Sequence, residues 1–238
     1  ASFDGAEVSN STFENNYGSA VDATRSTLTE LSFVGNTGFK GGAIKSYDSN
    51  IYNCDFKDNT ADFGGAIHQT NGNVYNSVFI NNSAVCGGGL YQDYFDHDDL
   101  QNQKGSNVYC CTFINNSAEL GGGLYQEKSH VYNSHFVNNT AFEHGGAVFE
   151  IESSVVNCSF ENNLAGEDCN SICDNYNHTR DDNPSDENHT GNNTGKDTGN
   201  GTAGDEAGFS KSITRVESGV KTGNGIFLLV LALAIPIV

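Results

Sequence analysis

Over the first two thirds of the chain, apolar and polar residues alternate in short runs. SHVYNSHFVNN, residues 129 to 139, is typical. Read as one strand, it sets Val131, Asn133 and His135 on one side and Tyr132, Ser134 and Phe136 on the other. Period two is the strand period, and the 3.6 spacing of an amphipathic helix is missing. Clusters of Asn and Gly bound the runs and mark turns. The pattern predicts many short strands and no helix.

The runs repeat. Phe33, Phe56, Phe79, Phe113, Phe136 and Phe160 are spaced by 23, 23, 34, 23 and 24 residues. Three residues after each phenylalanine stands Asn36, Asn59, Asn82, Asn116, Asn139 or Asn163. Glycine pairs follow at Gly41-Gly42, Gly64-Gly65, Gly87-Gly88, Gly121-Gly122 and Gly145-Gly146, each leading to Ile44, Ile67, Leu90, Leu124 or Val148. A weaker copy starts at Phe13. A unit this short cannot bury a core alone, so the units must stack. Stacked coils lie about 4.8 Å apart. Each letter then sits on its own copy: Phe on Phe, Asn amide on Asn amide, and Gly at a tight corner. Ala61, Ala84, Ala118, Ala141 and Ala165 keep the corner after the Asn ladder small. The expected fold is all-β: a right-handed parallel β-helix, a solenoid of about seven coils over residues 1–173, handed by the rule for parallel crossovers.

FVGNTGFKGGAI (33 to 44) and FKDNTADFGGAI (56 to 67) resemble the F-x-x-N and G-G-A-[ILV] repeats of chlamydial polymorphic outer-membrane proteins. They are also similar to those of adhesin-like surface proteins of methanogenic archaea. The resemblance covers residues 10 to about 165. It implies a right-handed β-helix, display at the cell surface and adhesion. The archaeal type ends in a short hydrophobic anchor often preceded by Thr-Gly-Asn, and KTGNG at 221 to 225 matches that layout.

Composition changes after Cys173. Residues 174–221 are rich in Asn, Asp, Thr, Gly and Ser and poor in aliphatics, which predicts a disordered stalk. N-x-S/T sequons at Asn177, Asn188, Asn192 and Asn200 are candidate glycosylation sites within it. Further sequons at Asn81, Asn115 and Asn138 adjoin the Asn ladder, where stacking is expected to limit access. Residues 222–238 close the chain with the apolar run GIFLLVLALAIPIV. The run is short for a membrane span. It reads as a short transmembrane anchor, a lipid-attachment signal with small residues near Ser218 and Gly219, or a sorting tail. Each tethers the protein to a membrane by its C-terminus.

With 30 acidic and 11 basic residues, the net charge is −19. That argues against nucleic acid or an anionic membrane surface as partner, since both need clustered Lys and Arg, and suits an extracellular surface. Of seven cysteines, Cys54, Cys111 and Cys158 recur two residues before a phenylalanine and read as small core residues. Cys169 and Cys173 follow the last coil and could bridge to each other or to Cys158.

The long interval holds 11 extra residues within DYFDHDDLQNQKGSN, 93 to 107. Insertions in solenoids map to loops on one face, often the binding face. Tyr91, Asp93, Tyr94, Phe95, Asp96, Asp98, Asp99 and Tyr125 are the candidate binding residues here. Asp93, Asp96, Asp98 and Asp99 are the hard-oxygen ligands available for calcium, although the spacing is not that of a calcium loop, and a solvated acidic loop is the plainer reading. No other cofactor is implied. An enzyme acting on polysaccharide would need two carboxylates on rigid strands or a basic residue beside an acidic sugar. The coil region has one arginine, Arg25, and its outward positions Lys45, His68, Tyr91, Tyr125 and Phe149 follow no pattern. The expected function is non-catalytic attachment to cell-surface glycans or proteins, with a polysaccharide-acting enzyme or a structural envelope protein as alternatives.

Overall fold

The computed structural model describes residues 1–94, 105–167 and 169–174, and all its elements there are β-strands. They form three long parallel sheets. The first has eight strands, from Ser2–Asp4 to Ile172–Asp174. The second and third have seven each, running from Glu7–Ser9 to Ser154–Val156 and from Thr12–Glu14 to Ser159–Glu161. The chain visits the three sheets in turn and climbs one strand per revolution. This is a parallel β-helix of about seven coils, right-handed by the rule for parallel crossovers. A small fourth sheet joins Ser117–Leu120, Thr140–His144 and Leu164–Ala165 in the later coils.

Like pairs with like. Phe79 pairs with Phe56 and Phe113, Ile67 with Ile44 and Leu90, Val74 with Ile51 and Val108. From Phe13 to Phe160 the phenylalanine rings form one column, stacked with centroids 4.6 to 5.3 Å apart. The five central rings are fully buried. Each such burial contributes about 1.5–3 kcal/mol, and stacking adds a further ~1 kcal/mol.

The asparagine ladder closes one inner corner. Each Oδ1 accepts two bonds from the asparagine one coil earlier, as Asn82 Oδ1 does from Asn59 N (3.0 Å) and Asn59 Nδ2 (3.0 Å). Each Nδ2 also donates to the carbonyl of the phenylalanine in that earlier coil, Asn82 to Phe56 O at 3.1 Å. The buried amides are satisfied both up and down the column. A second corner carries an alternating run: Leu31 N donates to Cys54 Sγ, Cys54 N to Ser77 Oγ, Ser77 N to Cys111 Sγ, Cys111 N to Ser134 Oγ and Ser134 N to Cys158 Sγ. Burial pushes the thiols up, Cys54 and Cys158 to about 11 and Cys111 to about 12. They stay neutral and serve as small corner residues.

The chain turns these corners on left-handed residues, and asparagine dominates there because its short polar side chain tolerates positive φ. Asn53, Asn76, Asn133 and Asn157 at one corner, and Asn81, Asn115, Asn138 and Asn162 at the next, have φ of 47° to 55°. The doubled Asn of the repeat is therefore two parts: a left-handed exposed residue, then the buried ladder residue. This corrects the single alternating strand expected across SHVYNSHFVNN. Asn133 turns the corner and resets the phase. Val131, Ser134 and Phe136 are all buried, while His135 is exposed and Tyr132 half-buried. The glycine pairs are required for two reasons. Gly87 has φ +66°, and a Cβ on Gly88 would lie 2.1 Å from the backbone oxygen of Gly122 in the next coil.

Beyond the last coil Cys169 and Cys173 form a disulfide with each other, their Cα atoms 5.1 Å apart. Cys158 keeps its corner role. Residues 175–238, with the expected stalk, its four sequons and the apolar tail, lie outside the described residues. Among the described residues no helix is long and apolar enough to cross a membrane.

Candidate functional site

The outward columns of the first and third sheets do not keep one letter, and on the first sheet the changing column turns aromatic. Its outward positions read Asp22, Lys45, His68, Tyr91, Tyr125 and Phe149 in successive coils. Tyr91 and Tyr125 stack with centroids 4.6 Å apart, His68 lies against Tyr91 at 5.2 Å, and Phe149 against Tyr125 at 5.2 Å. The sequence places all of these outward, yet only Asp22 and Lys45 are exposed. His68 and Phe149 are buried and the two tyrosines half-buried. The segment between the Asn ladder and the glycine pair folds over this face. Phe63, Cys86 and Leu120 bridge one above the other, and Phe63 sets its ring edge-on to Tyr91 at 5.4 Å. Phe149, Cys169 and Cys173 cluster there with Leu120, Tyr125 and Ile151 as a second small core.

Asp93 ends the strand Leu90–Asp93 beside this column. Its Oδ2 lies 3.3 Å from His68 Nε2, and its Oδ1 accepts from the Thr70 hydroxyl. Burial by itself would raise its pKa, but the bonds from His68 and Thr70 outweigh burial and hold the carboxyl below its ordinary value. Asp93 is thus a fixed anion with a donor on each oxygen. Burial pushes the Tyr91 hydroxyl up and that of Tyr125 up to about 12, so both remain neutral donors. At the rim, the Lys128 ammonium lies 4.3 Å from the centre of the Tyr94 ring, a cation–π contact.

The structure therefore brings together four of the predicted binding residues, Tyr91, Asp93, Tyr94 and Tyr125. Phe95, Asp96, Asp98 and Asp99 lie outside the described residues. Of the four carboxylates available for calcium in the sequence reading, only Asp93 is described, and His68 and Thr70 engage it. Among the described residues, no three His, Cys, Asp or Glu side chains are grouped to hold a metal. Arg25 forms a bidentate surface pair with Asp4, at 2.7 Å to either oxygen, away from any aromatic column.

His68, Thr70 and Lys128 were missed by sequence reasoning. A signal existed: Thr70 and Asp93 stand one repeat apart and pair in register. A second carboxylate also stands nearby in register, since Glu127 ends the next strand at the position matching Asp93. A further aromatic row was missed on the second sheet. Tyr52, Tyr75, Tyr109 and Tyr132 stack at 4.7 to 5.1 Å, beside Asn50, Asn73 and Asn107 linked by 3.2 Å amide bonds. These rings cover each other's faces and offer edges and hydroxyls to solvent.

No protein-family model matches the chain, and no curated protein does either.

Proposed function

We propose that this protein is a displayed rod that attaches to cell-surface glycans or proteins without catalysing a reaction on them. The observation that carries the proposal is the outer face of the first sheet beside the insertion. Half-buried tyrosines, a fixed anion and a rim ammonium meet there, while the core columns only repeat. Aromatic edges, neutral phenol donors and a carboxylate are the groups that grip sugar hydroxyls and ring C–H bonds. The F-x-x-N and G-G-A-I resemblance to adhesin-like proteins points the same way. In this reading residues 174–221 are a stalk glycosylated at Asn177, Asn188, Asn192 and Asn200, and residues 222–238 anchor it to the membrane.

The alternative of a glycan-cleaving enzyme draws on one observation, the matched positions of Asp93 and Glu127. Retaining hydrolysis needs two carboxylates about 5 Å apart, one of them held as an acid. Asp93 is engaged on both oxygens by His68 and Thr70, which favours a binding role.

The test is binding of the purified full chain to arrayed glycans and to cells. The Tyr94→Ala/Lys128→Ala double variant should weaken binding about tenfold or more, the scale of an interface anchor, with an unchanged circular dichroism spectrum. No binding by a folded wild-type chain would favour an envelope coat. Glycan cleavage abolished by Asp93→Asn would make the protein an enzyme.

A further inference from the structure

The left-handed corner residues carry a regularity that the core does not explain. Five N-x-S/T sequons lie wholly within the described residues, at Asn10, Asn81, Asn115, Asn138 and Asn157. Every one of these asparagines has positive φ, 49° to 55°, and every one is exposed. Stacking does not limit access to Asn81, Asn115 and Asn138, contrary to the sequence expectation. They stand in three consecutive coils at the same corner, about 4.8 Å apart along the rod.

No buried ladder asparagine is a sequon acceptor, and the packing explains why. Two residues after Asn36, Asn59, Asn82, Asn116 and Asn139 stand Gly38, Ala61, Ala84, Ala118 and Ala141. Ala61, Ala118 and Ala141 are buried, and a Cβ on Gly38 would lie 2.6 Å from Gly41 O. A small residue is required there, which removes the hydroxyl that would make the ladder asparagine an acceptor. One position earlier, the same count falls on Ser83, Ser117 or Thr140, which are half-buried or exposed. The corner rule thus steers the sequon onto the outward asparagine of each pair.

We propose that Asn81, Asn115 and Asn138 are N-glycosylated, so that one edge of the rod carries a row of sugar. The donor class is an oligosaccharide on a lipid pyrophosphate. Asn Nδ2 forms a bond to the anomeric carbon, that carbon's bond to the phosphate oxygen breaks, the lipid pyrophosphate leaves with the electron pair, and the amide proton goes to solvent. Transfer precedes folding, because a tight left-handed turn with its Asn side chain against the preceding coil (Asn81 Nδ2 to Asp58 Oδ1, 3.2 Å) is a poor substrate and an extended chain is a good one. The finished coil then holds each sugar in water. The attachment corner joins the third sheet to the connecting segment, so the outer tyrosine row of the second sheet stays bare. The inference rests on the reading that the chain is exported.

The experiment is glycopeptide mass spectrometry on the full chain isolated from the cells that make it, beside a Ser117→Ala variant. Sugar on the peptides containing Asn81, Asn115 and Asn138, lost from the Asn115 peptide alone in the variant, is expected. Sugar confined to Asn177, Asn188, Asn192 or Asn200 would overturn the coil sites and leave export standing. A chain bare at every sequon would overturn the coil sites and remove the support for export as well. Sugar on the Asn115 peptide undiminished by Ser117→Ala would also sink the assignment.

Discussion

Inside the coil and outside the first sheet, the same register builds opposite things. The phenylalanine and asparagine columns repeat one letter, because each residue's partner is its own copy one coil away. The outer column does not keep one letter, running from Asp22 and Lys45 through His68 and the two tyrosines to Phe149. Repetition marks where stacking alone decides the residue. Its breakdown along the outer column marks where another demand has acted.

The comparison can be broken most severely from the inside. Gly88→Ala drives a Cβ into the Gly122 carbonyl and should cost more than about 4 kcal/mol, seen as loss of the cooperative thermal transition. Phe79→Ala opens a cavity in the middle of the stack and should cost about 3–5 kcal/mol by denaturant unfolding. Asn82→Ala strands the Asn59 donors and the Phe56 carbonyl in the core, at about 3 kcal/mol. An effect below ~1 kcal/mol would show that the ladder is ornamental.

Changes outside should be milder and should alter pH dependence as well as stability. The Asp93 carboxyl has a lowered pKa in the fold. Its stabilisation is therefore complete above the unfolded value of about 3.9 and is lost as pH falls through the lower folded value. Asp93→Asn should flatten the acid limb of the stability curve, with the fold intact at neutral pH. The smallest effect is expected at the alternating corner. Cys111→Ser puts the hydroxyl of the neighbouring coils in place of a neutral buried thiol, and should shift stability by less than ~1 kcal/mol. A loss of several kcal/mol would show that sulfur size, and not hydrogen bonding, sets that corner.

Legibility in the sequence tracked this same division. The Phe, Ile and Asn columns were readable because a fixed period needs no knowledge of what lies opposite. The phase slip at Asn133 was not, since strand alternation is local and the left-handed residue that interrupts it looks like any other turn asparagine. His68 was read correctly as outward, but its burial was not readable, because the segment that covers the outer column, through Phe63, Cys86 and Leu120, comes from a different part of the coil. Tyr91, Asp93, Tyr94 and Tyr125 were found through their nearness to the insertion, whereas Thr70 and Lys128 required the register.

By itself, the sequence determined the period, the parallel stacking and the identity of the Phe, Ile and Asn inward columns, because like-on-like contact is the one arrangement that satisfies each repeated letter. Only the tertiary structure decided which outward residues are covered, which carboxylate is engaged and how open to water the first asparagine of each pair is. Those outcomes depend on how the chain crosses its corners and what folds over the sheet, and these are contacts between unlike residues that no repeat spells out.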